Sequence, residues 1–265
     1  MMYCGKHKTL RKNVFMTDKL QKQRFEFKYH LNPDIALAVR DFVSSYLELD
    51  EYGATQPNFS YPVHSLYLDS RNFQTYQDTI NGERNRYKLR IRYYESGDET
   101  PVYFEIKRRY NSVIAKKRAK VKRTSAQKLA SGFFASPMDL SEDTAENMEA
   151  MNYISERINL LNARPSVHVS YLREAWVADG TNKIRVTMDR NVLSEPVQTV
   201  SLKPDMLDPV NVFGRDVILE LKFTDRYPEW FKTLVQIFGL RQESAAKYVD
   251  GLQHLGRQNR LQLES

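Results

Sequence analysis

A single cysteine, Cys4, occurs in the 265 residues. No intramolecular disulfide can form, and no thiolate cluster can bind zinc. No apolar run reaches the ~18 residues of a membrane-crossing helix, so no integral membrane segment is expected. Glycine is sparse, at 10 residues, and neither G-x-x-x-x-G-K-[ST] nor G-x-G-x-x-G occurs. The backbone-amide cradles of P-loop and dinucleotide folds are thereby excluded, and side chains must hold any phosphate. The 5 histidines are equally uninformative: His7, His30 and His254 fall at no metal-ligand spacing. Repeats at solenoid period and low-complexity linkers are missing as well.

Positive charge is present in excess. Forty Lys and Arg stand against 33 Asp and Glu, for a formal charge of +7, with 41% hydrophobic and 12% aromatic residues. A sizeable core can form, and an anionic partner is favoured. Charge alone does not choose between nucleic acid, a membrane surface and phosphorylated small molecules. Residues 1–23 are basic and polar without a signal-peptide stretch, and read as a loosely held arm in which Cys4 has no catalytic setting. The boundaries read as an arm over 1–23, one domain over 24–258 and a tail over 259–265, in a soluble, cytoplasmic protein.

Period-two alternation predicts strands at Arg24–His30, His64–Asp69, Tyr87–Tyr94, Val102–Arg108, Val113–Val121, Val167–Arg173, Lys183–Asp189 and Val217–Thr224. Helical spacing predicts Asn32–Leu47, Ser125–Gly132, Ala145–Asn162, Glu229–Phe238 and Glu243–Leu255. Asn32 followed by Pro33 is a helix start, with Ile35, Val39, Phe42, Val43 and Tyr46 on the buried face. Asp69–Gly82 reads as a short helix or ordered loop, Asp179-Gly180 as a hairpin turn, and Ser194–Asp216 as the longest irregular stretch.

The two faces of each strand differ consistently. Lys88, Arg90 and Arg92 oppose Tyr87, Leu89, Ile91 and Tyr93. Tyr103, Glu105 and Lys107 oppose Val102, Phe104 and Ile106. Glu220 and Lys222 oppose Leu219, Leu221 and Phe223, while Arg24, Glu26 and Lys28 oppose Phe25, Phe27 and Tyr29. Arg185, Thr187 and Asp189 share a face, as do Lys116, Arg118 and Lys120. An ordinary sheet with one wet face would alternate in the same way. Two features favour charges turned inward: Arg prevails on several of these faces, and amphipathic helices are available to cover the apolar faces from outside. The expected architecture is an α+β fold, a closed antiparallel eight-stranded β-barrel tunnel with flanking helices. Crowded cations repel unless an anion of matching charge binds among them, and a triphosphate or longer phosphate chain supplies that charge along a line. Glu26, Glu105 and Glu220 are badly placed for phosphate but suited to Mg2+ or Mn2+, which take oxygen donors.

The ordered segments R-F-E-F-K-Y (Arg24–Tyr29), S-L-Y-L-D-S (Ser65–Ser70), K-L-R-I-R-Y (Lys88–Tyr93) and F-E-I-K (Phe104–Lys107) resemble the VTC domain. So do S-Y-L-R (Ser170–Arg173), R-V-T-M-D (Arg185–Asp189), L-E-L-K-F (Leu219–Phe223) and S-A-A-K-Y (Ser244–Tyr248). That domain is the polyphosphate polymerase unit of the vacuolar transporter chaperone complex, one of the triphosphate tunnel metalloenzymes, and the resemblance runs from Arg24 to Leu255. It implies that Lys28, Arg90, Arg92, Lys107, Lys120, Arg173 and Lys222 bind phosphate and that Glu220 holds the metal. Lys247 would lie near the transferred phosphoryl group, with Ser244 one helical turn earlier on the same face. Lys116 or Arg118 could stand in for Lys120. Arg24 departs from the E-x-E-x-K signature of the wider superfamily, as VTC domains do, which favours polymerase over hydrolase or cyclase.

The expected activity is transfer of the ATP γ-phosphoryl group to a growing polyphosphate chain, with release of ADP. Lys247, Arg90, Arg92 and Glu220 would act at the transferred group. A metal-dependent tri- or polyphosphatase and a non-catalytic polyphosphate or inositol-phosphate sensor are the alternatives. No nucleic-acid partner is expected, because the aromatics mostly share the face opposite the charges. His64 and His168 on apolar faces, and Trp176, Trp230, Tyr227 and Phe231, read as packing residues. Glu142–Glu149 reads as a helix start.

Overall fold

The computed structural model describes residues 24–264 apart from 95, 96, 98, 112, 179 and 180. The expected arm, with Cys4, and the Asp179-Gly180 turn lie outside the described residues. In chain order the elements are β1 (Arg24–Leu31), α1 (Pro33–Ser44), β2 (Glu48–Leu49), α2 (Glu51–Ala54), β3 (Ser60–Asp69) and α3 (Gln74–Ile80). Next come β4 (Asn85–Tyr93), β5 (Val102–Tyr110), β6 (Val113–Val121), α4 (Ala126–Ala130) and α5 (Ala145–Leu161). The chain ends with β7 (Arg164–Ala178), β8 (Thr181–Pro196), β9 (Val210–Asn211), β10 (Val217–Thr224), α6 (Glu229–Ile237) and α7 (Lys247–Glu264).

The long strands form one antiparallel sheet in the order β1-β10-β8-β7-β3-β4-β5-β6, with β2 and β9 paired at its margins. The sheet is not closed into a barrel, which corrects the sequence reading. Edge strands β1 and β6 approach each other but share no ladder. The free edge of β1 is taken instead by residues 242–246, a strap that precedes α7. Tyr29 bridges Gln242, and the Glu243 N–H donates to the Lys28 carbonyl at 3.0 Å. Where the strap bonds, at Lys28 and Tyr29, the β1 edge cannot also pair with β6. The Glu26–Lys107 ion pair, at 3.0 Å, links β1 to β5, the strand beside β6.

Apolar strand faces pack outward under helices. Leu66, Leu89, Ile91, Phe104 and Ile106 form one cluster with Leu129 of α4 and Met151, Ile154 and Ile158 of α5. Tyr29, Val186, Met188, Leu219 and Leu221 form another with Val39 and Val43 of α1 and Phe231 and Leu234 of α6. Helix α1 starts as its sequence dictates, the Asn32 side chain accepting from the Ile35 N–H at 2.8 Å ahead of Pro33. Tyr46 is exposed rather than buried, and stacks on Trp230 with ring centroids 4.7 Å apart. A third cluster lies on the other side of the sheet, where Tyr248 and Val249 of α7 meet Tyr67, Val167, Val169 and Tyr171. Helices therefore cover the convex face, and α7 fills one part of the concave face. Helix α7 continues past residue 258, to Glu264.

His64 and His168 are packing residues. They are buried, with His64 Nδ1 3.1 Å from His168 Nε2 and the Tyr93 hydroxyl 3.0 Å from the latter. Burial lowers both imidazoles to about 4. Between pH 6.5 and 4 the unfolded chain binds protons that the folded chain does not, so stability is full above pH 6.5 and falls as the pH drops. From pH 7 to pH 5 each histidine is expected to remove about 2 kcal/mol. Urea midpoints at the two pH values test this, and a His64→Gln/His168→Gln protein that kept the same pH slope would refute it.

Candidate functional site

The concave face encloses a channel of about 1070 Å3. Alternation puts the polar side chains of β1, β4, β5, β6 and β10 on this wall, because every second residue of a strand points the same way. Thirteen Lys and Arg side chains line it against five Asp and Glu. Lys28, Arg90, Arg92, Lys107, Arg173, Lys222, Lys247, Glu26 and Glu220 are all brought together there.

Buried carboxylates organise the cations into three groups. Glu105 is 1% exposed, and its two oxygens accept from Arg90 Nε at 2.7 Å, Arg118 Nε at 2.6 Å and Lys116 Nζ at 2.7 Å. Burial opposes its charge, but Arg90, Arg92, Lys116 and Arg118 hold the carboxyl well below the ordinary range. Glu220 lies 3.1 Å from Lys247 Nζ, 3.5 Å from Lys28 Nζ and 3.8 Å from Arg173, with Lys222 also bound. Its pKa is likewise driven down against burial, chiefly by Lys222 and Lys247. Asp189 takes both prongs of the Arg173 guanidinium at 2.7 Å each and Lys247 Nζ at 2.7 Å. Asp189 shares a charged strand face with Arg185 and Thr187, and the sequence alone gives it no site. Only the β7–β8 register, which sets Arg173 opposite Asp189, reveals the pair.

Several cations are left without a carboxylate. Arg92 is buried, donates to the Tyr171 hydroxyl at 3.1 Å, and its Nε has no partner. Lys88 makes no ion pair among the described residues, lies 5.9 Å from the Tyr248 ring centroid, and is pushed down to about 8 by burial. Burial likewise takes Lys222 down to about 8, only partly offset by Glu220. Burial would raise the Tyr67 phenol, but Arg90, Lys88 and Arg92 outweigh it and bring it to about 8. The Tyr67 shift reflects the excess of positive charge on this wall, and the two lysine shifts reflect their burial in it.

Two expected residues sit elsewhere. Lys120 turns to Glu142 at 2.6 Å and does not line the channel, whereas Lys116 and Arg118 of the same strand do. The C-terminal end of β6 has by then reached the α5 side of the fold, where the Lys120 backbone binds Asn147. Ser244 reaches the channel wall but is not on a helix face with Lys247. It is exposed on the strap, because residues 242–246 bond to β1 and α7 begins only at Lys247. The expectation that aromatics oppose the charges fails for tyrosine, since Tyr52, Tyr61, Tyr94 and Tyr103 line the channel beside the cations.

Among the described residues no group of three or more His, Cys, Asp or Glu could hold a metal ion by itself. A hard cation that binds through one or two carboxylates and completes its shell with ligand phosphates needs no such group. Glu26 and Glu220 fit that requirement. They lie on paired strands in a register that sets Lys28 opposite Glu220 and Glu26 opposite Lys222, and each faces the channel. Glu105 fits it less well, because it is 1% exposed behind Arg90, Arg118 and Lys116 and does not itself line the channel.

Fold and site define an anion-binding channel protein built on a curved antiparallel sheet. The chain belongs to the VTC domain family, whose model matches residues 23–255, and so to the polyphosphate and triphosphate tunnel proteins. It is also similar to the crystal structure of a "putative adenylate cyclase" from Bacillus halodurans, at 14% identity and a TM-score of 0.48, over 84% of this chain and 94% of that one. No curated protein matches the sequence. No helix among the described residues is long and apolar enough to cross a membrane.

Proposed function

We propose that the protein is an ATP-dependent polyphosphate polymerase. The observation that carries this reading is the cluster of Lys247, Arg173, Lys222 and Lys28 around Glu220, set in a wall with a large surplus of cations. The terminal phosphate of the chain attacks the γ-phosphorus of ATP, the bond to the β–γ bridging oxygen breaks, and ADP carries that oxygen away. The attacking oxygen is already ionised at neutral pH, so no general base is required, and no histidine among the described residues lines the channel. Lys and Arg supply positioning and charge stabilisation, the main needs of phosphoryl transfer. Glu105 holds Arg90 and Arg118 in place, and Asp189 holds Arg173 and Lys247. Mn2+ or Mg2+, held by Glu220 and Glu26, would neutralise charge on the phosphate oxygens.

Incubation with ATP and Mn2+ is expected to give long-chain polyphosphate with one ADP for each phosphoryl group incorporated. EDTA is expected to abolish turnover. Free phosphate as the sole product would replace this reading by a triphosphatase in the same channel.

A further inference from the structure

The two ends of the channel are chemically different. At one end the rings of Tyr52, Tyr61, Tyr94 and Tyr103 touch in series. Tyr52 stacks on Tyr94 at 5.9 Å and 8°, Tyr61 lies 5.4 Å from Tyr52, and Tyr103 lies 6.0 Å from Tyr94. Tyr52 keeps 48% of its surface exposed. The cations beside these rings already have partners: Arg118 lies over Tyr103 at 4.4 Å and binds Glu105, and Arg185 binds Asp50 at 2.8 Å. At the opposite end β4 and β5 set Arg86 opposite Arg109, with Lys88 next along β4, and none of the three is ion-paired among the described residues. One mouth therefore offers aromatic faces beside ion-paired cations, and the other offers Arg86 and Arg109, which donate to the Glu83 and Asn111 carbonyls and meet no carboxylate among the described residues.

We propose that the tyrosine mouth, through Tyr52, Tyr94 and Tyr103, holds the nucleoside of the donor nucleotide, while the Arg86–Arg109 mouth passes only phosphate chain. This rests on the channel being a nucleoside triphosphate site, as proposed above, and gives it a direction. A base is planar and uncharged and gains from stacking on an exposed ring, whereas cations without a carboxylate partner draw phosphate most strongly. The spacing agrees. Tyr94 follows the end of β4 two residues after Arg92, and Tyr103 lies two residues before Glu105 on β5, so the rings stand one tier outside Arg92 and Glu105, with the Arg118 guanidinium reaching from Glu105 onto Tyr103. A ribose extending inward from Tyr52 and Tyr94 brings the triphosphate to Arg92, which binds the Tyr171 hydroxyl at 3.1 Å, and Lys247 lies 5.0 Å from that same ring. The rings are not explained as core, because Tyr52 is on the short helix α2 and half open to solvent.

Binding of ATP and of inorganic tripolyphosphate to the full chain, measured by calorimetry, tests the assignment without requiring turnover. Tyr52→Ala is expected to weaken ATP about tenfold and leave tripolyphosphate unchanged, and Tyr52→Phe, which keeps the ring, to restore ATP binding. Arg86→Ala/Arg109→Ala is expected to weaken long polyphosphate and leave ATP unchanged. Equal losses of ATP and tripolyphosphate in Tyr52→Ala, or no loss of ATP in both Tyr52→Ala and Tyr103→Ala, would overturn the nucleoside mouth. A wild-type protein that binds neither ligand would instead remove the triphosphate site itself.

Discussion

Glu105→Gln is expected to destabilise the protein by about 3 kcal/mol, and tripolyphosphate to return most of that loss. Glu105 is 1% exposed and is the shared counter-ion of Arg90, Arg118 and Lys116. The amide keeps the shape but not the charge, so the cations are left facing one another. The cost falls at the lower end of the range for broken buried pairs, because the Lys116 and Arg118 side chains stay 43% and 39% exposed and can relax into water. A phosphate anion offers the same cations a replacement. In the wild-type protein it must draw them from Glu105, whereas in the variant it meets them unpaired. Unfolding midpoints with and without tripolyphosphate should therefore show a larger ligand-induced rise for Glu105→Gln than for wild type. Equal rises, or an undiminished midpoint without ligand, would mean that Glu105 does not organise the phosphate-facing cations.

The same residue shows where sequence reading reached its limit. Alternation in β4, β5, β1 and β10 correctly separated charged from apolar faces, because that separation is local and has period two. It could not say which cation each carboxylate would meet. Glu105 looks equivalent to Glu26 and Glu220 along the chain, each two residues before a lysine, yet Arg118 reaches it from β6 and Arg90 from β4. Asp189 was visible on its face but acquires meaning only through Arg173 in the partner strand. Closure of the sheet was beyond reach for a related reason. It depends on whether β1 and β6, nearly a hundred positions apart in the chain, pair, and the strap near Gln242, still more distant in sequence, occupies the β1 edge at Lys28 and Tyr29. Lys120 was given the right parity and the wrong surroundings, since its end of the strand belongs to the α5 side. Tyr52 carried no signal at all: it lies in a helix of 4 residues, too short for any periodicity.

Glu220→Gln is expected to lower polyphosphate synthesis roughly 100-fold or more while polyphosphate binding holds or tightens. Four cations, Lys247, Lys222, Lys28 and Arg173, surround this carboxylate. Removing its charge raises the positive potential at the proposed phosphate site, which favours binding of the anion. Turnover has much to lose. Glu220 fixes Lys247 together with Asp189, and it is the carboxylate best placed to bring a divalent cation to the reacting phosphates. The charge that develops at the bridging oxygen would then form without preorganised partners. A rise in melting temperature on adding polyphosphate shows that the variant is folded and its channel occupied, so that a lost rate is not mistaken for a lost fold. Unchanged synthesis would exclude Glu220 from the reaction. Parallel loss of binding and synthesis would make it a support for the phosphate cradle, and leave Lys247 and Arg173 dependent on Asp189 alone for their placement.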